Sequence, residues 1–135
     1  MNTVAKFKVL LGLAQADGQF DSTEKAFIKE LAASEGLSLF ELKGLLKKSD
    51  KIGNLIQELN YDDKIDILAY LIKLMKVDGK VLLSEIKYCE RVAEIFGFEK
   101  KSIGFLSGTL DSNTQINPNL GRIKYRMRKY ITQAA

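Results

Sequence analysis

The chain of 135 residues has no histidine, no tryptophan, a single proline and a single cysteine. The missing histidine is the most consequential absence. It removes the commonest general base, the commonest metal ligand and every Ser-His-Asp or Cys-His nucleophile arrangement, and most hydrolase chemistry with them. Cys89 has no second cysteine to pair with and no histidine to activate it, so its simplest role is that of a small buried hydrophobe. The lack of paired cysteines fits a reducing compartment. One proline and ten glycines leave long Leu-, Ile-, Lys- and Glu-rich stretches unbroken, which predicts an all-α fold. Long apolar runs are scarce as well. Val9 to Leu13 is too short, and too soon followed by Asp17, to read as a signal peptide. Ile65 to Val77 is interrupted by Asp66, Lys73 and Lys76 and falls short of the ~18 apolar residues a membrane span requires. A soluble, cytoplasmic protein is expected, with one domain over residues 1–135 because the length supports a single core.

What is present is a repetition. Asp17-Gly18-Gln19-Phe20-Asp21-Ser22-Thr23-Glu24 returns 61 residues later (17 to 78) as Asp78-Gly79-Lys80-Val81-Leu82-Leu83-Ser84-Glu85. At the same offset Leu10 matches Leu71, Leu13 matches Leu74, Ala32 matches Ala93 and Gly36 matches Gly97. Identities on both sides of a loop at one constant, gapless offset are the mark of an internal duplication. The predicted architecture is a single domain of about seven to eight helices built from two pseudo-symmetric helix-loop-helix repeats, one over about 5–37 and the other over about 64–98, followed by a basic helix over 120–135.

Helical spacing and capping signals fill in the elements. A mostly buried first helix is predicted from about Thr3 to Ala16, closed by Asp17-Gly18. Asp21 and Glu24 form a capping box for a second helix to about Ser34, with Ala26, Phe27, Ile28 and Leu31 inward. Ser38 and Glu41 open a third helix through Phe40, Leu42, Leu45 and Leu46, and a fourth is expected over about 51–59. Asn60 or Asp62 caps a fifth. Its two apolar stripes, Ile65, Leu68, Ile72, Met75 and Ile67, Leu71, Leu74, make it the central helix, with the first helix packed near it. A sixth helix runs from about Leu83 to Gly97, a seventh from Glu99 to about Leu110, a loop from Asp111 to Asn119, and the chain closes in a helix with Ile123, Met127, Tyr130 and Ile131 on its apolar side.

Each copy of the loop offers two carboxylates, Asp17 with Glu24 and Asp78 with Glu85, the first ending one helix and the second opening the next. If the halves pack about a pseudo-two-fold axis, four carboxylates approach one another, and close like charges are costly unless a cation or proton intervenes. That is the case for a divalent metal ion with oxygen ligands at Asp17, Glu24, Asp78 and Glu85. The pattern is not an EF-hand, because the loop's first position falls on Leu13 and Leu74, which cannot ligate calcium. The competing account is structural: Asp before a capping glycine satisfies loop amides, and Glu in a first turn complements the helix dipole. It explains Glu24 better than Glu85, since Asp21 is replaced by Leu82 in the second copy.

The net charge of +4 belongs to the C-terminal segment alone. Arg122, Lys124, Arg126, Arg128 and Lys129 follow the last acid, Asp111, whereas the preceding residues carry 16 basic against 17 acidic side chains. These five charges read as a solvated helix face, or as a contact for anionic lipid headgroups or an acidic protein surface; nucleic acid is disfavoured, because no recognised fold motif accompanies them.

The two loops, with Ala93 and Gly97-Phe98 downstream, resemble the TerB-like family named for a tellurite-resistance protein, over about residues 5–110. The resemblance implies a compact all-helical domain with two pseudo-symmetric halves, an association with tellurite and stress resistance, a divalent-metal site, and complexes with membrane proteins at the cytoplasmic face. It carries Asp17, Glu24, Asp78 and Glu85 over as metal-linked acids. Leu82 departs from the polar residue more usual in that family, and the basic C-terminal helix lies outside the match. The reading is therefore a non-enzymatic, stress-associated binding module that holds a divalent cation and meets a protein partner peripheral to the membrane. The alternatives are an interaction or oligomerisation scaffold with purely structural acids, and a metal-dependent enzyme with an activated water at the same acids.

Overall fold

The computed structural model describes residues 3–16, 22–46, 59–77, 79, 81–110 and 120–132. Among them the chain is all-α, in the order α1 (Thr3–Ala16), α2 (Ser22–Ser34), α3 (Leu39–Leu46), α4 (Tyr61–Lys76), α5 (Leu83–Ile95), α6 (Ser102–Thr109) and α7 (Leu120–Met127), which tightens into a 3-10 turn over Arg128–Tyr130. The helix expected over 51–59 and the loop over 111–119 lie outside the described residues, apart from the buried Leu59.

Helix α4 is the core of the molecule. Ile65, Leu68, Leu71 and Ile72 have no exposed surface, and Ile67, Leu74 and Met75 have almost none, so both predicted stripes are inside. Its start is set by a capping box: Asn60 Oδ1 accepts from Asp63 N–H at 2.8 Å, while Asp63 Oδ2 accepts from Asn60 N–H at 3.3 Å. Helix α1, with Phe7, Leu10 and Leu13 fully buried, packs along α4 and also touches α2, α3 and α5; α5 in turn packs on α4 and α6. The close approach of α1 and α5 is set at Gly12. Tyr88 lies over it, with its hydroxyl donating to the Val9 carbonyl at 2.9 Å, and a side chain at position 12 would collide with that ring. Ser38 and Glu41 exchange the two hydrogen bonds of the predicted box at the start of α3 (3.1 and 3.2 Å).

The 61-residue spacing recurs in the backbone. Shifted by it, the bounds of α2 become those of α5. Gly36 (φ 76°) and Gly97 (φ 92°) both turn left-handed after these helices. In each turn the next N–H reaches back five residues, Leu37 to the Ala32 carbonyl and Phe98 to the Ala93 carbonyl, both at 2.8 Å. This is the Schellman closure, and it needs a residue without a Cβ at the turn.

Several side chains depart from the sequence reading. Ala26 is exposed, because the inward stripe of α2 runs through Glu24, Phe27, Ile28, Leu31 and Ala32 and leaves position 26 outside it. Phe40 is 87% exposed. The last helix stops at Met127, and Ile131 is 44% exposed, since the backbone there turns extended and pairs with Phe98 in an isolated antiparallel bridge.

Candidate functional site

The two glutamates of the predicted acidic site sit at equivalent places. Glu24 opens α2 and Glu85 opens α5, each in the first turn, and each is buried, at 2% and 3% exposure. The reason lies in the periodicity: Glu24, Ile28, Leu31 and Ala32 form the inner stripe of α2, and Glu85, Cys89, Val92 and Ala93 form that of α5. The acid occupies the N-terminal end of a stripe that is otherwise apolar. Burying a carboxylate is costly unless hydrogen bonds or a cation compensate, and the positive end of the helix dipole supplies part of that compensation. Glu85 Oε1 also accepts the Leu82 N–H at 3.0 Å, the backbone half of a capping box whose side-chain half leucine cannot make.

Asp17 and Asp78, the other two acids of the set, lie outside the described residues. Between them and the helices, Gly79 is left-handed (φ 77°) and donates to the Lys76 carbonyl at 3.1 Å, closing α4 in the manner predicted for an Asp-Gly turn. Among the described residues no group of three or more Asp, Glu and Cys side chains is close enough to hold a metal ion. An ion between the loops therefore needs Asp17 and Asp78 in addition to the two buried glutamates. The donor set would be oxygen only, the chemistry of calcium, magnesium or manganese.

Cys89 lies at the centre of the α5 stripe with its thiol 3.9 Å from the Met75 sulfur. Burial first, and the nearby charges of Glu85 and Glu90 second, push it up to about 12, so the thiol stays neutral at physiological pH and has no nucleophilic character.

A second polar cluster was not visible in the sequence. Lys6 and Lys73 are both 3% exposed, and both approach the ring of Tyr70, their ammonium nitrogens 5.0 and 5.8 Å from its centroid. Lys6 also pairs with Glu35 at 2.7 Å, joining the first helix to the turn after the second. Burial raises the Tyr70 hydroxyl above its usual range, and the carboxylates of Glu35 and Asp66 push it further the same way. Lys73 stands between Ile72 and Leu74, with apolar residues on every side of α4; that setting was the available signal that it could not reach water easily. Lys6 and Glu35 are 29 positions apart and share no local pattern.

The five basic residues of the C-terminal segment divide into two groups. Lys124 is turned toward α4, 3.3 Å from Asp66 and 3.9 Å from Asp62, and its carbonyl accepts the Tyr61 hydroxyl at 2.6 Å. Arg122, Arg126, Arg128 and Lys129 are exposed. The segment is fastened at its end, where Glu99 N–H donates to the Tyr130 carbonyl and Thr132 N–H to the Gly97 carbonyl, each at 2.7 Å. No helix among the described residues is long and apolar enough to cross a membrane.

Comparison with known proteins returns no match, whether to a family model, a curated protein or a solved structure.

Proposed function

We propose that this chain is a non-enzymatic helical binding module of the TerB-like type, built from a duplicated helix-loop-helix unit, in which Asp17, Glu24, Asp78 and Glu85 hold a divalent cation between the two loops. The observation that carries the reading is the burial of Glu24 and Glu85 at matching positions of α2 and α5, helices whose bounds coincide after a shift of 61 residues. Two acids at the same buried place in two copies support a shared ligand. The residues would bind and orient the ion, and no reaction is assigned to it. The protein partner would be met by the folded module as a rigid surface.

One observation favours a second reading, an interaction scaffold with structural acids: Glu85 already accepts the Leu82 N–H. Thermal unfolding with calcium, magnesium, manganese or zinc separates the two. Ion binding to the folded state predicts a rise in melting temperature, corresponding to about 2.7 kcal/mol at an ion concentration of about 100 Kd. Asp17→Asn combined with Asp78→Asn is expected to abolish the rise. A wild-type melting temperature indifferent to all four ions would leave the scaffold.

A further inference from the structure

Helix α7 presents two unlike faces. Leu120, Ile123 and Met127 point inward, the last two with almost no exposed surface, and Lys124 beside them is occupied by Asp66 and Asp62. Arg122, Tyr125, Arg126 and Lys129 follow at the i, i+3, i+4, i+7 spacing that places them in one stripe, and all four are exposed, Tyr125 at 70%. Among the described residues neither Arg122 nor Arg126 has an acidic partner. Arg128 flanks the stripe, its guanidinium 5.6 Å from the centre of the Tyr125 ring.

From this face we infer that the protein docks on an anionic lipid bilayer through the outer stripe of α7, with Arg122, Arg126, Arg128 and Lys129 at the headgroups and the Tyr125 ring between them. The inference is independent of whether the loops hold a cation. Three features select lipid over other anions. The stripe is only about 10 Å long, seven residues at the helical rise, too short to follow a nucleic-acid backbone. An exposed tyrosine amid cations suits the headgroup boundary, where an amphipathic ring has one side apolar and the other wet. Mobile headgroups can adjust to the spacing of the cations, whereas fixed acids on a protein need a matching pattern. The face is also held ready, because the Tyr61–Lys124 hydrogen bond fixes the segment within α7 and the Phe98–Ile131 bridge fixes it at its end. Docking requires no folding of the helix.

The test is sedimentation of the full chain with vesicles of phosphatidylcholine containing about one third phosphatidylglycerol, against pure phosphatidylcholine, at low and high salt. Binding is expected to the anionic vesicles only, and to fall away at about 0.5 M salt. Each headgroup cation is worth roughly fivefold in partitioning, so Arg122→Gln with Arg126→Gln is expected to weaken binding by about twenty-five-fold. Lys124→Gln, which removes one charge from a side chain already paired with Asp66, is expected to change it by less than about twofold, against roughly fivefold for an unpaired headgroup cation. Circular dichroism of each variant establishes that the helices are intact. Equal binding to neutral vesicles, no binding to either, a Lys124→Gln loss of about fivefold or more, or tighter binding to polyglutamate or duplex DNA at the same salt would each overturn the inference.

Discussion

At Gly12 helix propensity and packing act in opposite directions. Alanine is favoured over glycine inside a helix by about 1 kcal/mol, so on propensity alone Gly12→Ala would stabilise α1. The new Cβ would meet the ring of Tyr88, 2.9 Å from Cζ and closer still to the hydroxyl, which is anchored on the Val9 carbonyl. Overpacking of this kind costs about 1–3 kcal/mol, and the expected outcome is a net loss of stability, seen as a lower urea midpoint. In a Tyr88→Ala background the sign is expected to reverse. A stabilising Gly12→Ala in the wild type would mean that the tyrosine does not lie over α1. The buried Lys6 is a residue-scale counterpart: its ammonium is tolerated because Glu35 sits 2.7 Å away, and a buried ion that loses its partner costs about 3–5 kcal/mol.

At the scale of elements, local signals sufficed wherever an element's ends are decided locally. The capping pairs Ser38 with Glu41 and Asn60 with Asp63 are three residues apart, and the glycines at 36, 79 and 97 stand just past helix ends, so these boundaries follow from neighbouring residues. What stayed hidden is decided by contacts between distant segments. Ala26 and Phe40 look like core residues by type, yet which side of α2 and α3 faces inward depends on where α1 and α4 lie. The candidate site was legible to the same degree. First-turn acids could be read from spacing, but their burial could not, because glutamate in a first turn is equally at home in water. The C-terminal fastening joins Gly97 and Glu99 to Thr132 and Tyr130, a pairing for which the sequence carries no periodic signal. The two Schellman turns give an element-scale prediction. Forcing a residue with a Cβ into the left-handed region costs about 1–2 kcal/mol, so Gly36→Ala is expected to destabilise by that amount. Gly97→Ala should cost more, because its carbonyl also receives Thr132; equal midpoints for the two variants in urea would show that the fastening contributes nothing.

For the whole molecule, the buried thiol couples stability to pH. Cys89 ionises near 9.0 in the unfolded chain and is pushed up to about 12 in the folded protein. The folded state therefore holds a proton that the unfolded state releases. The corresponding stability is fully present below about pH 9 and is lost as pH rises toward about 12, by up to about 1.4 kcal/mol per pH unit. Tyr61, Tyr70 and Tyr88, all raised chiefly by burial, add losses of the same sign from about pH 10 upward. Between about pH 9 and 10 the thiol dominates these four groups, and urea midpoints of Cys89→Ala are expected to fall less steeply there than those of the wild type. Parallel slopes would show that the thiol is no more buried than in the unfolded chain.

The turn at Gly97 carries a further implication. It ends α5 and, by the same backbone geometry, aims a carbonyl at the final segment, whereas its twin at Gly36 ends α2. Two turns of one shape thus differ in how many neighbours depend on them. A substitution at the first disturbs the end of α2 and the neighbouring Lys6–Glu35 pair, whereas one at the second also reaches the fastening of the last segment, so mutational robustness is unevenly divided between the halves of a chain that otherwise looks repeated.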